Sequence, residues 1–262
     1  MTISNNLLPR VFGLVLLLAG AGGCTLYQPL LATIPAVRQQ GQVAAASNWQ
    51  IPYGGQASVI LSPLPHTLAF ATGGLHAYNT KRDSSNAYTR ARQYEAGIGG
   101  YATVGQVWLS AAVGAGQGRS YHYGPFGSVD LVNFGGTATI GGNGSGRRPR
   151  IPELLGYYNT RFAQFTTWWP GLNHQSREWG ASLRVSQVQF TELSLNDIAR
   201  PLAAQHYLQT SMVMQQHLWR QFKWQATATY DLALDSVTDT DIFARAPLRV
   251  GIGIAFCPGK AQ

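Results

Sequence analysis

The chain has 262 residues, with 19 Lys and Arg against 11 Asp and Glu, a formal charge of +8. Charged residues make up 11% of it, less than half of the ~25% usual for a soluble domain, while glycine (30), tyrosine (12) and tryptophan (7) are abundant. Two cysteines exclude a disulfide scaffold, and basic residues scattered along the chain give no nucleic-acid footprint.

The first element is the apolar run from Val11 to Ala21, preceded by Arg10 and followed by Gly22, Gly23 and Cys24. It is shorter than the ~20 residues a helix needs to cross a bilayer. A basic start, a short apolar core and a small-residue exit are the order of a secretory signal peptide. The cysteine after the small residues resembles a bacterial lipoprotein signal. That resemblance implies cleavage after residue 23, lipidation of Cys24 and, with Thr25 following it, export to the cell outer membrane. The division expected is a signal peptide at 1–23, a lipidated periplasmic lead-in at 24–40, a barrel at 41–256 and a tail at 257–262. Acylated Cys24 would leave Cys257 without a disulfide partner.

From residue 42 onward the apolar residues alternate. Strands are expected at 42–51, 55–62, 67–78, 92–103, 106–117, 156–168, 178–190, 205–217, 222–233 and 247–256. The clearest is "FKWQATATYDL": Phe222, Trp224, Ala226, Ala228, Tyr230 and Leu232 on one face, Lys223, Gln225, Thr227, Thr229 and Asp231 on the other. "PLRVGIGIAF", "REWGASLRVSQ" and "GQVWLSAAVGA" repeat the pattern. Their polar faces carry Gly, Ser, Thr and Gln rather than Lys and Glu, which suits a crowded lumen better than bulk water. Most of these runs approach the nine to eleven residues of a tilted barrel strand.

The joints supply an independent argument. "SPLPH", "TVGQ", "WPGLNHQSR" and "LWRQF" are short, whereas 79–91, 118–155, 191–204 and 234–246 are longer. Turns on one side and loops on the other are the asymmetry of transmembrane barrels. The fold class expected is therefore all-β: a single antiparallel transmembrane β-barrel of about ten strands, within a range of eight to twelve. Trp168, Trp169, Trp219, Phe222, Trp224 and Phe256 are expected near the turn ends, and Tyr78, Tyr121, Tyr123, Tyr157 and Tyr158 near the loop ends, as interfacial aromatics.

Residues 157–190, with Asn159, Phe162 and Gln164 and then Ser182, Arg184 and Ser186, resemble a group of Bacteroidota outer-membrane β-barrel lipoproteins, as does the lead-in "CTLYQPLLATIPAVRQQGQ". The resemblance implies architecture and location, and no catalytic residues. Phe165 and the long insert 118–155 depart from that pattern.

The polar residues expected to face the lumen are Glu95, Arg184, Lys223, Asp231 and Arg249, with Arg161 undecided. Opposite charges there should pair, since an unpaired buried charge is costly. No His or Cys pair has metal-ligand spacing, so neither metal nor cofactor is expected. The function expected is structural or surface-binding at the envelope, with a narrow conduit as a variant and without enzymatic activity. Partners would be outer-membrane lipid and, through the outer loops, a surface glycan or protein. Two alternatives compete: a soluble lipid-anchored β-sandwich that binds a ligand, and a barrel enzyme acting on lipid or peptide, for which His76, Ser120 and Glu95 are the conceivable group.

Overall fold

The computed structural model describes residues 27, 29–32, 37, 39–51, 54–82, 85–124, 153–171, 177–200, 204–219, 221–235 and 248–257. Among them the alternating segments form eleven strands: β1 (Val43–Ile51), β2 (Gly54–Leu61), β3 (Thr67–Arg82), β4 (Ser85–Val104), β5 (Val107–Tyr123), β6 (Glu153–Pro170), β7 (Arg177–Leu195), β8 (Ile198–Ala199), β9 (Ala204–Trp219), β10 (Phe222–Ala233) and β11 (Leu248–Phe256). Ten build the wall, each antiparallel to its neighbours, and β8 is a two-residue arm on the end of β7. The β1–β11 and β6–β7 pairings close the ring. The expected ten-strand antiparallel barrel is what the chain forms, and a two-sheet sandwich is excluded by the closure.

The register fixes the tilt. Starting at Tyr157 on β6 and stepping through paired residues Arg119, Arg92, Leu75, Gly55, Trp49, Ile252, Ala226, Met214 and Trp179 returns to β6 at Trp169. One circuit therefore advances twelve residues along β6, from Tyr157 to Trp169, which is the shear of the barrel. Ten strands with that shear tilt by ~40°, within the usual range, and enclose an interior that side chains can fill.

Local chemistry sets the turns. Gly105, at φ +60, occupies the first central position of the two-residue β4–β5 hairpin, where a side chain would be strained. Asn196 and Asp197, at φ 51 and 63, make the tight turn into β8, and these residue types tolerate the left-handed region.

Two expectations about the wall are corrected. The joint at 79–91 is not a loop: β3 and β4 run on, paired from Ala77↔Arg90 to Arg82↔Ser85. Its sequence is too polar to show a greasy face, because this end of the wall stands clear of the apolar belt. β3 to β7 and β9 are 16 to 20 residues long, against 8 to 12 for β10, β11, β1 and β2, so the wall is tall on one side. Trp168 and Tyr158 are also not interfacial; both are fully buried and point inward, in step with Thr160, Phe162 and Gln164. Trp219, Phe222 and Phe256 do lie outward at the turn end, with Trp219 stacked on Phe222 at 6.5 Å and Phe256 tilted against Phe222 at 5.1 Å.

The alternation gives an inverted protein. Outward positions include Trp49, Leu75, Ile98, Val113, Phe165, Leu183, Met212, Ile252 and Ile254, all exposed. Inward positions include Gln56, Thr72, Glu95, Ser182, Gln209, Thr227 and Asp231, all buried. A continuous exposed apolar belt around a polar interior is unstable in water and is the arrangement a lipid-solvated barrel needs. Every wall strand except at its ends finds both hydrogen-bonded neighbours, so no sheet edge faces the belt. Trp224→Arg, on the outer face, should cost up to ~2–4 kcal/mol. Lys223→Ala, on the inner face, should cost less, and detergent refolding titrations would rank the two.

Candidate functional site

The lumen holds the chemistry. Glu95 on β4 and Arg184 on β7 meet across it: Arg184 Nη2 donates to both carboxylate oxygens at 2.7 Å, and each side chain is only 3% exposed. The Thr160 hydroxyl donates to the same carboxylate at 3.4 Å, and the Phe162 ring lies 3.9 Å beneath the guanidinium. Room for this cluster comes from glycine. A Cβ on Gly116 would fall 2.6 Å from Glu95 Cγ, and one on Gly114 would strike the Phe162 ring at 2.3 Å. The inward glycines of β5 are therefore the complement of large side chains opposite.

A second pair lies on β10 and β11. Arg249 Nε donates to Asp231 Oδ2 at 2.8 Å, Arg249 Nη2 stands 2.7 Å from the same oxygen, and Gln209 donates to Asp231 Oδ1 at 2.7 Å. Asp231 and Arg249 are 0% and 1% exposed. Lys223 Nζ donates to Glu178 Oε2 at 2.8 Å, in a more open position. All five residues named from sequence thus point inward, and Glu178 is the carboxylate that sequence reasoning did not single out. Arg161 faces outward and is exposed. Amide and hydroxyl bonds join β9 to β10 and reach β1: Gln215 donates to Gln225 at 2.9 Å, Gln225 to Asn48 at 2.6 Å, and Thr229 to Ser211 at 2.9 Å.

The largest departure from expectation concerns the lead-in. Expected as a periplasmic segment, it instead places Tyr27, Pro29, Leu30, Leu31, Ala32 and Val37 inside the barrel, all buried. Tyr27 packs edge-on against Tyr158 at 5.0 Å and beside Tyr207 at 5.6 Å, in a cluster with Leu154, Val188, Phe190 and Leu193 at the loop end. Arg249 donates to the Pro29 carbonyl, and Gln209 to the Leu30 carbonyl at 2.9 Å. Gln56 accepts from Leu31 N–H at 2.8 Å and donates back to its carbonyl at 3.0 Å. Val37 joins Ala44, Ile60, Leu68, Phe70, Trp108 and Trp168 at the turn end, with Cys257 at the edge of that cluster. The Gly41 N–H then bonds the Ser62 carbonyl at 2.8 Å, and the chain enters β1.

The physical reason is backbone satisfaction. The "QPLLATIPAV" segment carries two prolines and no alternation, so it cannot pair as a strand. Buried, the carbonyls of Pro29, Leu30 and Leu31 need donors, and inward-facing Arg249, Gln209 and Gln56 supply them. The run of glutamines at inward positions is the signal in the sequence that an irregular segment would need partners there.

The conceivable enzymatic group does not assemble. Ala91 separates His76 from Ser120 in the register, two strand spacings or roughly 10 Å. Glu95 is already held by Arg184. Elsewhere His206 Nδ1 and Asp235 Oδ2 pair at 2.8 Å on the exposed loop-end rim, and the bonds from His206 hold the Asp235 carboxyl below its usual range. No cluster among the described residues could hold a metal ion. Cys24, the signal 1–23 and most of the insert 118–155, including its "RRPR" and "GGNGSG" tracts, lie outside the described residues.

No protein-family model and no curated protein matches the chain. Among solved structures it is similar to the outer membrane protease OmpT from Escherichia coli, at 9% identity and TM-score 0.48 over 83% of this chain and 94% of that one. It is also similar to the translocator domain of autotransporter NalP from Neisseria meningitidis, at 11% identity and TM-score 0.40 over 82% and 86%. An outer membrane channel from Pseudomonas putida F1 matches at 7% identity and TM-score 0.35 over 88% and 100%. These likenesses are of strand layout, and no residue role passes from them to this chain.

Proposed function

We propose that the chain is an outer-membrane β-barrel of the bacterial envelope with a closed lumen, serving a structural or surface-binding role rather than transport or catalysis. The observation that supports this most is the filling of the lumen. Two buried ion pairs, the glutamine bonds and the buried residues Tyr27, Pro29, Leu30, Leu31, Ala32 and Val37 occupy the space a conduit would need. Recognition is then left to the loop-side surface, with lipid around the wall and a surface glycan or protein as partner for the loops. Planar-bilayer recording of the purified chain tests the reading. It should insert without steady ion conductance, and a stable open channel in the unmodified chain would end it.

The lipid anchor and the Bacteroidota lipoprotein kinship belong to the same proposal. They are supported by Cys24 at the end of the signal-like run and by the 157–190 pattern. Metabolic labelling with a clickable fatty acid should mark the wild type and leave Cys24→Ser unlabelled. Label retained by that variant would remove Cys24 as the attachment point.

A further inference from the structure

On the outer wall of β5, Val107, Leu109, Ala111, Val113 and Ala115 face outward in succession, and Gln117, Arg119 and Tyr121 follow. At ~3.3 Å per residue and ~40° of tilt, the apolar run spans about 20 Å, approaching the ~25 Å apolar band of outer-membrane barrels. The switch recurs on each side. On β4 it falls between Ile98, Ala96 and Tyr94 and then Arg92 and Arg90; on β6, between Phe165 and Ala163 and then Arg161. The polar residues beyond the switch stand at head-group level on the loop side.

Arg92 and Arg119 are direct cross-strand partners with both side chains exposed. Like charges placed opposite one another destabilise a sheet unless something neutralises them. Among the described residues no carboxylate pairs with Arg92, Arg119 or Arg161. Nearby Glu153 accepts from the Tyr121 hydroxyl at 2.9 Å, and Glu192 lies opposite Tyr157 on β7. Arg119 rests on the Tyr157 ring at 5.2 Å, and Tyr94 donates to Gln117 at 2.7 Å between the arginines and the belt. Further along the same wall toward the turn end, Ile98, Val113, Ala163, Phe165, Leu183 and Val185 line an apolar groove of about 420 Å³.

Forked cations above an apolar groove match one ligand class. Guanidinium groups bind phosphate oxygens in pairs, and the groove accepts the acyl chain that a free anion lacks. We propose that Arg92 and Arg119 bind the anionic phosphate head group of a lipid in the loop-side leaflet, with its acyl chain along the β4–β7 groove. This rests on the membrane reading above.

The test uses the full chain in detergent micelles, with bound lipid counted by native mass spectrometry after addition of phosphatidic acid or phosphatidylcholine. The wild type should retain phosphatidic acid about tenfold over phosphatidylcholine, whose phosphate is neutralised by its own choline and lacks the second ionisable oxygen. The Arg92→Ala/Arg119→Ala double variant should lose that preference, while Arg177→Ala, at the opposite end of the wall, keeps it. Retention of sheet circular dichroism by the double variant separates lost binding from lost fold. Equal retention of the two lipids by the wild type overturns the proposal, as does an equal loss in Arg177→Ala. Displacement of the lipid by equimolar inorganic phosphate would show a free-anion site instead and also overturns it. Flotation with phosphatidylcholine vesicles reads the membrane assignment separately. A chain that fails to float removes both readings, whereas one that floats without selecting phosphatidic acid overturns this proposal alone.

Discussion

Arg184→Ala should be the most damaging single substitution in the lumen, costing ~3–5 kcal/mol, because it strands the Glu95 carboxylate in a water-poor interior. Arg184 supplies both short bonds to that carboxylate, and Thr160, at 3.4 Å, is too distant to replace them. The guanidinium also covers the Phe162 ring, so truncation removes packing as well as charge. Urea or guanidinium unfolding in detergent, followed by tryptophan fluorescence, would measure the loss. The paired change Arg184→Met with Glu95→Gln separates the two contributions. It removes both charges while keeping volume, and should recover most of the stability, since replacing a buried pair is often neutral. A double variant as damaged as Arg184→Ala would mean that the cationic contact of the guanidinium with the Phe162 ring, which methionine cannot replace, and not the orphaned charge, sets the cost.

That prediction depends on side-chain direction, and direction was the most legible property of this sequence. A closed wall with lipid outside and polar groups inside enforces strict alternation, because a one-residue slip would reverse every face. Hence Trp224 and Lys223 could be assigned to opposite faces from the zigzag alone. The rule fails where the wall leaves the apolar belt. On β7 the inward Val188 and Phe190 are apolar and their outward neighbours Gln187 and Gln189 polar, the ordinary soluble pattern. Tyr158 belongs to the same zone, which is why it reads as an interfacial aromatic and is found in the loop-end core. The continuation of β3 and β4 past residue 78 was hidden because Asn79, Thr80, Lys81, Arg82, Ser85 and Asn86 give neither face an apolar run.

The site was legible residue by residue and not as pairs. Inward charge follows from parity, so Glu95, Arg184, Lys223, Asp231 and Arg249 could be placed. The join of Glu95 to Arg184 could not, because β4 and β7 are not hydrogen-bonded neighbours and their meeting is set by the width of the barrel. The luminal segment was still less visible. Nothing in "QPLLATIPAV" says where an apolar, proline-containing stretch will bury itself; that follows from the donors awaiting it on β2, β9 and β11.

Emptying that segment should convert a silent barrel into a conducting one. Replacing Tyr27, Leu30 and Leu31 together by glycine removes the ring wedged against Tyr158 and Tyr207 and two wholly buried side chains from the lumen. The inward amides of Gln56 and Gln209, and the Arg249 guanidinium, are then fixed polar groups beside vacated space, which water fills more readily than a dry apolar cavity. The interior of a barrel this narrow is blocked by side chains, so losing three large ones changes its bore more than any substitution in the wall. Bilayer recordings should show discrete steps for the triple variant and none for the wild type. Heat-modifiable migration in gels would confirm that the variant is folded. The control is Leu75→Gly, which removes an equally large side chain from the outer face and should leave the barrel silent. A folded, inserted triple variant that stays silent would shift the closure to the ion pairs, and the Glu95→Gln/Arg184→Met chain would then be the one to conduct.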